Sequence, residues 1–398
     1  MKKYILLLGI SIISLFIMAQ KPEPVYSFVR VLKPISWYKS QSEIWFNEIN
    51  KDKQNASAWY NYYRANRSVF RLDTTDKRTR FEKGQAEKKI VDEMEKAVPE
   101  SYEYNLCRWL IGGNNYEYLT FLKKASELGP DRTEHIPDMI VWGEIERNFE
   151  RRNEYAKKWF ESKEASPGLL YYNYNVISGL KTNAIILTCG DNDTYPIWML
   201  QSQGIRKDVK VLNLSLLYVD AYRDKIFKEL NIPKWEMNYK SLTLDTNGLA
   251  TDTNYQKIIM NPFSDKMVEH IARNKNKFPV YIALTAGDEY TKLIAEKLYL
   301  TGLAYEYSNE PIDNMAELRR NFEQNYLLDH IDKHFYFDVS SEIALRSNCN
   351  YEVPMLKLYD HYKVSGENFK AAWIKEKILY IVKGRVEEQD INNYLNKN

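Results

Sequence analysis

Three helix tails in the first half of the chain each run into a proline. They are Glu93-Met-Glu-Lys-Ala-Val-Pro99, Lys124-Ala-Ser-Glu-Leu-Gly-Pro130 and Phe160-Glu-Ser-Lys-Glu-Ala-Ser-Pro167. Proline shortly after a helix end cannot continue the helix, so each marks a stop. The prolines are 31 and 37 residues apart, a spacing that leaves room for one pair of short helices between stops. An earlier stretch, Ser42 to Phe70, fits another hairpin. Trp45, Ile49, Trp59, Tyr62 and Tyr63 fall at helical spacing, and Asn55-Ala-Ser57 supplies the turn. A chain built this way stacks helices side by side and buries one stripe of each.

A recurrence near 34 residues is the period of tetratricopeptide-type repeats. The segments are similar to such repeats without carrying their full consensus, and a non-repetitive helical domain is the alternative. The 31 tyrosines and 9 tryptophans suit hairpin cores. They also suit interfaces and sugar platforms, because each ring joins apolar area to a polar tip.

The first residues point to export. Lys2 and Lys3 precede an almost wholly apolar run, Tyr4 to Met18, and Ala19 stands before polar sequence. This is the layout of a cleavable secretory signal, residues 1–19. At about 1.5 Å per residue the run spans roughly 22 Å, short of a ~30 Å hydrocarbon core. An uncleaved anchor is the alternative, favoured by the large Ile17 near the cut. No later segment is apolar for long enough to span a bilayer. Lys plus Arg number 56 against 54 Asp plus Glu, and without residues 1–19 the balance is even. A neutral body gives no electrostatic footprint for nucleic acid. Three cysteines, Cys107, Cys189 and Cys349, allow at most one disulfide and are expected mainly as small buried hydrophobes.

The character changes near Ser178. Thr182–Cys189, Val209–Leu214, Pro279–Thr285 and Ala304–Tyr307 read as strands. Tyr195–Gln203, Val219–Leu230, Asp265–Lys275 and Asp288–Leu300 read as helices between or beside them. Alternation of this kind predicts βαβ units and a parallel sheet. From Asn314 the chain reads as helical again, through Arg346 to an Ala371–Val382 helix, with a polar, frayed end. The expected organisation is a signal at 1–19, a helical-hairpin region at 20–167, an α/β domain at 168–312 and a helical region at 313–398.

Within the α/β part, Gly190-Asp-Asn-Asp-Thr-Tyr-Pro-Ile-Trp-Met-Leu-Gln201, Gly204-Ile-Arg-Lys-Asp-Val209 and Val211-Leu-Asn-Leu-Ser-Leu-Leu217 resemble a signature of large bacterial membrane proteins related to protein O-mannosyltransferases. There the signature lies in the soluble part that follows the membrane half. Tyr281-Ile-Ala-Leu-Thr285, Gly302-Leu-Ala-Tyr305, Asp313, Tyr336-Phe-Asp338 and Arg346 are similar to its continuation. The resemblance covers roughly residues 168–380 and implies their fold. It carries over no catalytic residue, because the family's presumed glycosyl-transfer carboxylate lies in a membrane half that this sequence lacks.

The candidate ligand site is Asp191, Asn192, Asp193 and Thr194, at the carboxyl end of a strand, where open α/β sheets collect ligands. Asp191 and Asp193 are also the candidate ligands for a divalent cation. No other cofactor is expected. Asp288 and Glu289 follow the third strand and are expected to face the same crevice. Arg206 is expected to pair with Asp208 or with the acidic loop. The bland reading has Asp193 or Thr194 capping the following helix, Gly190 supplying a positive-φ turn and Pro196 in the first helical turn. His330 and His334 stand at the spacing of a helical metal pair. No nucleophile elbow, P-loop or dinucleotide motif occurs. The expectation is an exported, periplasmic or cell-surface binding or accessory subunit of an envelope assembly or glycosylation system, with a protein partner held by the helices. The alternatives are a glycan-binding or glycan-processing module, and a structural envelope subunit.

Overall fold

A computed structural model of the chain describes residues 21–113, 115–236, 261–333 and 338–397. The expected signal, most of the polar stretch after Lys234, and His334 lie outside them.

The first half is built of antiparallel helices. Helix α1 (Ile35–Lys51) packs on α2 (Ala56–Leu72). Asn55 makes the turn between them and caps α2, its side chain accepting from the Ala58 N–H at 3.0 Å. Helix α3 (Arg80–Ala97) opens with a capping box between Thr79 and Glu82. Helices α4 (Tyr102–Ile111) and α5 (Leu119–Leu128) form the next pair, then α6 (Ile136–Glu146) and α7 (Phe149–Glu161). Pro99 and Pro130 follow helix ends as expected. Pro167 acts differently. It opens α8 (Pro167–Ser178), whose cap is Ser166, because proline's fixed φ and missing N–H suit a first helical turn. Ile49, Tyr63, Val91, Leu106 and Leu122 share the array's core. Gly143 of α6 lies so close to α7 that a Cβ there would sit 2.7 Å from the backbone nitrogen of Arg152.

The second half wraps a five-stranded sheet of order β2-β1-β3-β5-β4. The strands are β1 (Ile185–Thr188), β2 (Lys210–Asn213), β3 (Val280–Ala283), β4 (Leu298–Leu300) and β5 (Ala304–Tyr307). Strand β1 pairs in parallel with β2 and β3 and is fully buried, which is why its sequence is a continuous apolar run. Ile186 and Tyr281 face the side covered by α9 (Tyr195–Ser202) and the C-terminal helices. Ile185, Leu212 and Ile282 face the side covered by α10 (Asp220–Leu230) and α11 (Asn261–Arg273).

The sheet is mixed, not wholly parallel. The expected helix over Asp288–Leu300 is two 3-10 turns followed by β4, and both β4 and β3 run antiparallel to β5. Only three residues, 301–303, join β4 to β5. A link that short closes an antiparallel hairpin, whereas a parallel pair needs a crossover of a dozen residues or more. At Gly302 a Cβ would collide with the Tyr326 hydroxyl, which itself accepts the Leu303 N–H at 3.0 Å.

The C-terminal region comprises α12 (Asn314–Arg320), α13 (Ser341–Asn348), α14 (Glu352–Val364), α15 (Asn368–Val382) and α16 (Glu388–Lys397). The terminal residues expected to fray form α16 instead, because Leu395 is buried and its carbonyl accepts from the Tyr359 hydroxyl at 3.0 Å. One core cluster runs from Ile136 and Ala156 of the hairpins through Tyr172, Trp198 and Tyr281 to Tyr362, Ile378 and Leu395. The hairpin array and the sheet therefore share a core. Fully buried Glu144 of α6 reinforces the join, accepting from Arg147, from Arg152 at 2.7 Å and from the Tyr222 hydroxyl of α10 at 2.7 Å.

Candidate functional site

The loop between β1 and α9 is built by its side chains. Gly190 takes φ 114°, a conformation open to glycine, so the chain can turn sharply off the strand. Asp193 then folds back beneath it. One carboxylate oxygen accepts the Cys189 N–H at 2.7 Å and the Thr285 hydroxyl at 2.5 Å, and the other meets the Thr194 hydroxyl at 3.3 Å. The Thr194 hydroxyl contacts that of Thr188 at 2.7 Å and accepts from Asn213 at 2.9 Å. These bonds tie the carboxyl ends of β1, β2 and β3 together. Neither residue caps α9 through its side chain. The expected cap is replaced by this clasp, in which both oxygens of Asp193 are already taken by Cys189, Thr285 and Thr194. Pro196 does sit in the first turn of α9.

Asp191 and Asn192 face the other way, into a cleft of about 750 Å³ between the helical array and the sheet. Asn192 donates to the Val29 carbonyl at 3.1 Å, and its own carbonyl accepts from Asn173 at 2.8 Å. The opposite wall comes from the array: Tyr60 and Arg64 of α2, and Asp138 of α6. Trp159 of α7 lies 5.6 Å from the ring of Tyr195 and extends the aromatic lining. The crowded walls raise the Asp191 carboxyl to about 6, and the nearby charges of Asp138 and then Asp193 add to that. Asp191 still opens onto the cleft. Burial raises Asp138 as well, against the pull of the Trp109 indole, Arg64 and Arg67. Two acids with raised values therefore share one concave surface.

The remaining wall is the chain's own segment 21–31, which runs without helix to Ser27 and then turns, the Arg30 and Val31 N–H groups donating to the Ser27 carbonyl at 2.8 Å. Val25 buries its side chain beside Tyr38 and Ala65, Arg30 pairs with Glu164 at 2.9 Å, and helix side chains bind the segment's backbone. Gln41 accepts the Glu23 N–H at 2.9 Å and Trp45 donates to the Glu23 carbonyl at 2.9 Å. Asn61 accepts the Val25 N–H at 2.7 Å, and the Tyr38 hydroxyl donates to the Val31 carbonyl at 2.9 Å.

The other sequence candidates fall elsewhere. Arg206 pairs with Asp208 at 2.9 Å and donates to the carbonyls of Ile177, Leu180 and Lys181, so it clamps the end of α8 and does not reach the acidic loop. Its guanidinium holds the Asp208 carboxyl down at about 2. Asp288 does not share the Asp191 crevice. Gly287, at φ 79°, turns the chain away, and Asp288 lines a separate cavity of about 170 Å³ with Tyr305 and Cys349. The side chain of Glu289 lies outside the described residues. His330 sits in a 3-10 turn, stacked on Tyr171 at 5.5 Å. Among the described residues no group of three or more His, Cys, Asp or Glu is placed to hold a metal ion, no disulfide links the cysteines, and no helix is long and apolar enough to cross a membrane.

Arg64 and Asp138 were not singled out from the sequence. One signal was present: Asn61, Arg64 and Ser68 recur at helical spacing and are all buried, a polar stripe beside an apolar one.

Residues 171–241 match the family model of TMEM260-associated domain 2. The match spans α8, β1, the Asp191 loop, α9, β2 and α10. No curated protein sequence matches the chain. Among solved structures, the crystal structure of yeast Tom70 is similar at 10% identity and a TM-score of 0.26, covering 91% of this chain and 59% of that one. The chain thus spans less than two thirds of that protein.

Proposed function

We propose that the chain is a binding or accessory subunit of an envelope assembly or glycosylation system, and that it holds an extended segment of a protein partner in the Asp191 cleft. The observation that carries this reading is the cleft itself. It is formed jointly by stacked helical hairpins, the carboxyl end of the sheet and the chain's own segment 21–31, and along that wall Gln41, Trp45 and Asn61 of the hairpins already bind polypeptide backbone at Glu23 and Val25. Hairpin arrays commonly present such concave surfaces to partners. The match of residues 171–241 to a domain of an O-mannosyltransferase-related family supports a glycosylation setting. So does the wider likeness of residues 168–380 to the soluble part of bacterial membrane proteins of that kind. The basic and apolar run at residues 1–19 supports export to the periplasm or cell surface.

Photo-cross-linkers at the cleft positions Asp131 and Asn192, and at the exposed Phe369 outside the cleft, test it in envelope fractions. The reading predicts one partner cross-linked from both cleft positions and not from Phe369. Equal yields from all three, or none from the cleft, would overturn it.

A second reading is a glycan site, with aromatic rings stacking on a sugar and Asp191 accepting its hydroxyls. The raised Asp191 carboxyl beside Trp159 and Tyr195 favours it. Under that reading Asp191→Asn abolishes sugar or divalent-cation binding in titration calorimetry while the fold persists. Under the first, partner capture survives the change.

A further inference from the structure

Most of the cations lining the cleft are already neutralised. Arg30 pairs with Glu164 at 2.9 Å, Arg67 with Glu87, and Arg132 with Glu103 at 2.6 Å and Glu134 at 2.7 Å. Arg64 differs. It is 9% exposed, its Nε is enclosed without a hydrogen-bond partner, and no ion pair joins it to any described carboxylate. Its nearest aromatic contact is the Tyr60 ring, 6.0 Å away. Asp138 feels its charge without touching it. A guanidinium stays protonated under all ordinary conditions, and a buried charge without a counter-ion is strongly unfavourable. The chain nevertheless presents one at the cleft, on a helix whose neighbouring Asn61 is fixed by the Val25 N–H.

We infer that Arg64 anchors one oxyanion, a carboxylate or phosphate, carried by the segment that occupies the cleft. The inference rests on the polypeptide reading above and sharpens it: the partner segment bears a single anionic side group. The planar fork of a guanidinium matches two oxygens of one such group. Asp138 and Asp191 face the same space and take hydrogen-bond donors from the segment, its amides or hydroxyls. They also repel a second anion. The cleft therefore selects one acidic position flanked by neutral donors, and disfavours an acidic run.

Calorimetric titration of the whole chain with inorganic phosphate, and separately with acetate, tests this. The wild type should take up one phosphate per chain, and Arg64→Gln should weaken it at least ~tenfold, the loss of a charge-assisted fork. Arg64→Lys should retain part of the affinity, keeping the charge and losing the fork. Asp138→Asn, which leaves Arg64 in place, should tighten binding about threefold by removing a like charge; it keeps the proposal testable if Arg64→Gln does not fold. Uptake of both ions identifies a carboxylate-type site, and of phosphate alone a phosphate site. No uptake by the wild type, or equal uptake by Arg64→Gln, overturns the inference. Phosphate uptake without cross-links from the cleft would leave the anion site standing and remove only the polypeptide reading.

Discussion

Asp191 and Asp193 stand two residues apart on one loop, and their carboxyl groups have opposite surroundings. Asp193 is 4% exposed and accepts from Cys189, Thr285 and Thr194, so each oxygen has a donor. Asp191 opens onto the cleft and is crowded by Asp138. The first is a fastening for three strand ends. The second is an acceptor that no donor among the described residues holds down, which is the condition of a group kept for something else. The contrast shows that a pair of acids in a loop is not a unit, because the turn at Gly190 sends alternate side chains to different solvents.

The largest test of that contrast is Asp193→Ala. It strands the buried Cys189 N–H and Thr285 hydroxyl and should cost about 3 kcal/mol in urea unfolding. Asp191→Ala should cost far less; equal losses would break the comparison. Next comes Arg206→Ala, a third polar group fully engaged by the fold. Removing its bonds to three carbonyls and to Asp208 should cost about 2 kcal/mol. It should also shrink an acid-sensitive step, leaving the smaller part that the Asn183 N–H supplies at 2.9 Å. Asp208 is held down at about 2, so its contribution is complete above the ordinary carboxylate value of 3.8 and is lost as pH falls from about 4 through 2.

The smallest effect sharpens the comparison from the other side. The folded value of Asp191, about 6, lies above its ordinary 3.8. Between those values the folded chain keeps a proton that the unfolded chain has released. Stability therefore falls as pH rises from about 4 to 6, and the full loss persists above 6. Cleft water screens most of this, leaving about 1 kcal/mol. Asp191→Asn should recover that at pH 7 and flatten the profile between pH 4 and 6, as measured by melting temperature against pH.

The central strands were legible because β1 and β3 are buried on both faces and are almost wholly apolar. Ala304–Tyr307 was bounded to the residue. The segment before it differs from the expected helix because its helix-compatible residues Lys292–Lys297 take 3-10 turns and Leu298–Leu300 pair with β5. The loop bearing Asp191 was equally plain in the sequence. Its partners were not. Arg64 is one of many arginines on an N-terminal helix, and Asp138 lies in an otherwise unremarked first turn of α6. Neither carries a local sign of the other, since 74 residues separate them and only packing brings both to one wall.

The core shared by α6, α7 and the sheet has a consequence for how such a chain can change over generations. Helical arrays ordinarily grow by duplicating a hairpin, each copy docking on the last. Here the final hairpin is welded to α9 and, through Glu144, to α10. A copy inserted at that junction would have no matching face to dock on and would part the sheet from its cover. Lengthening is open only at the opposite end, beyond α1, where the segment 21–31 lies, so any added hairpin would enlarge the rim of the cleft and leave its floor as it is.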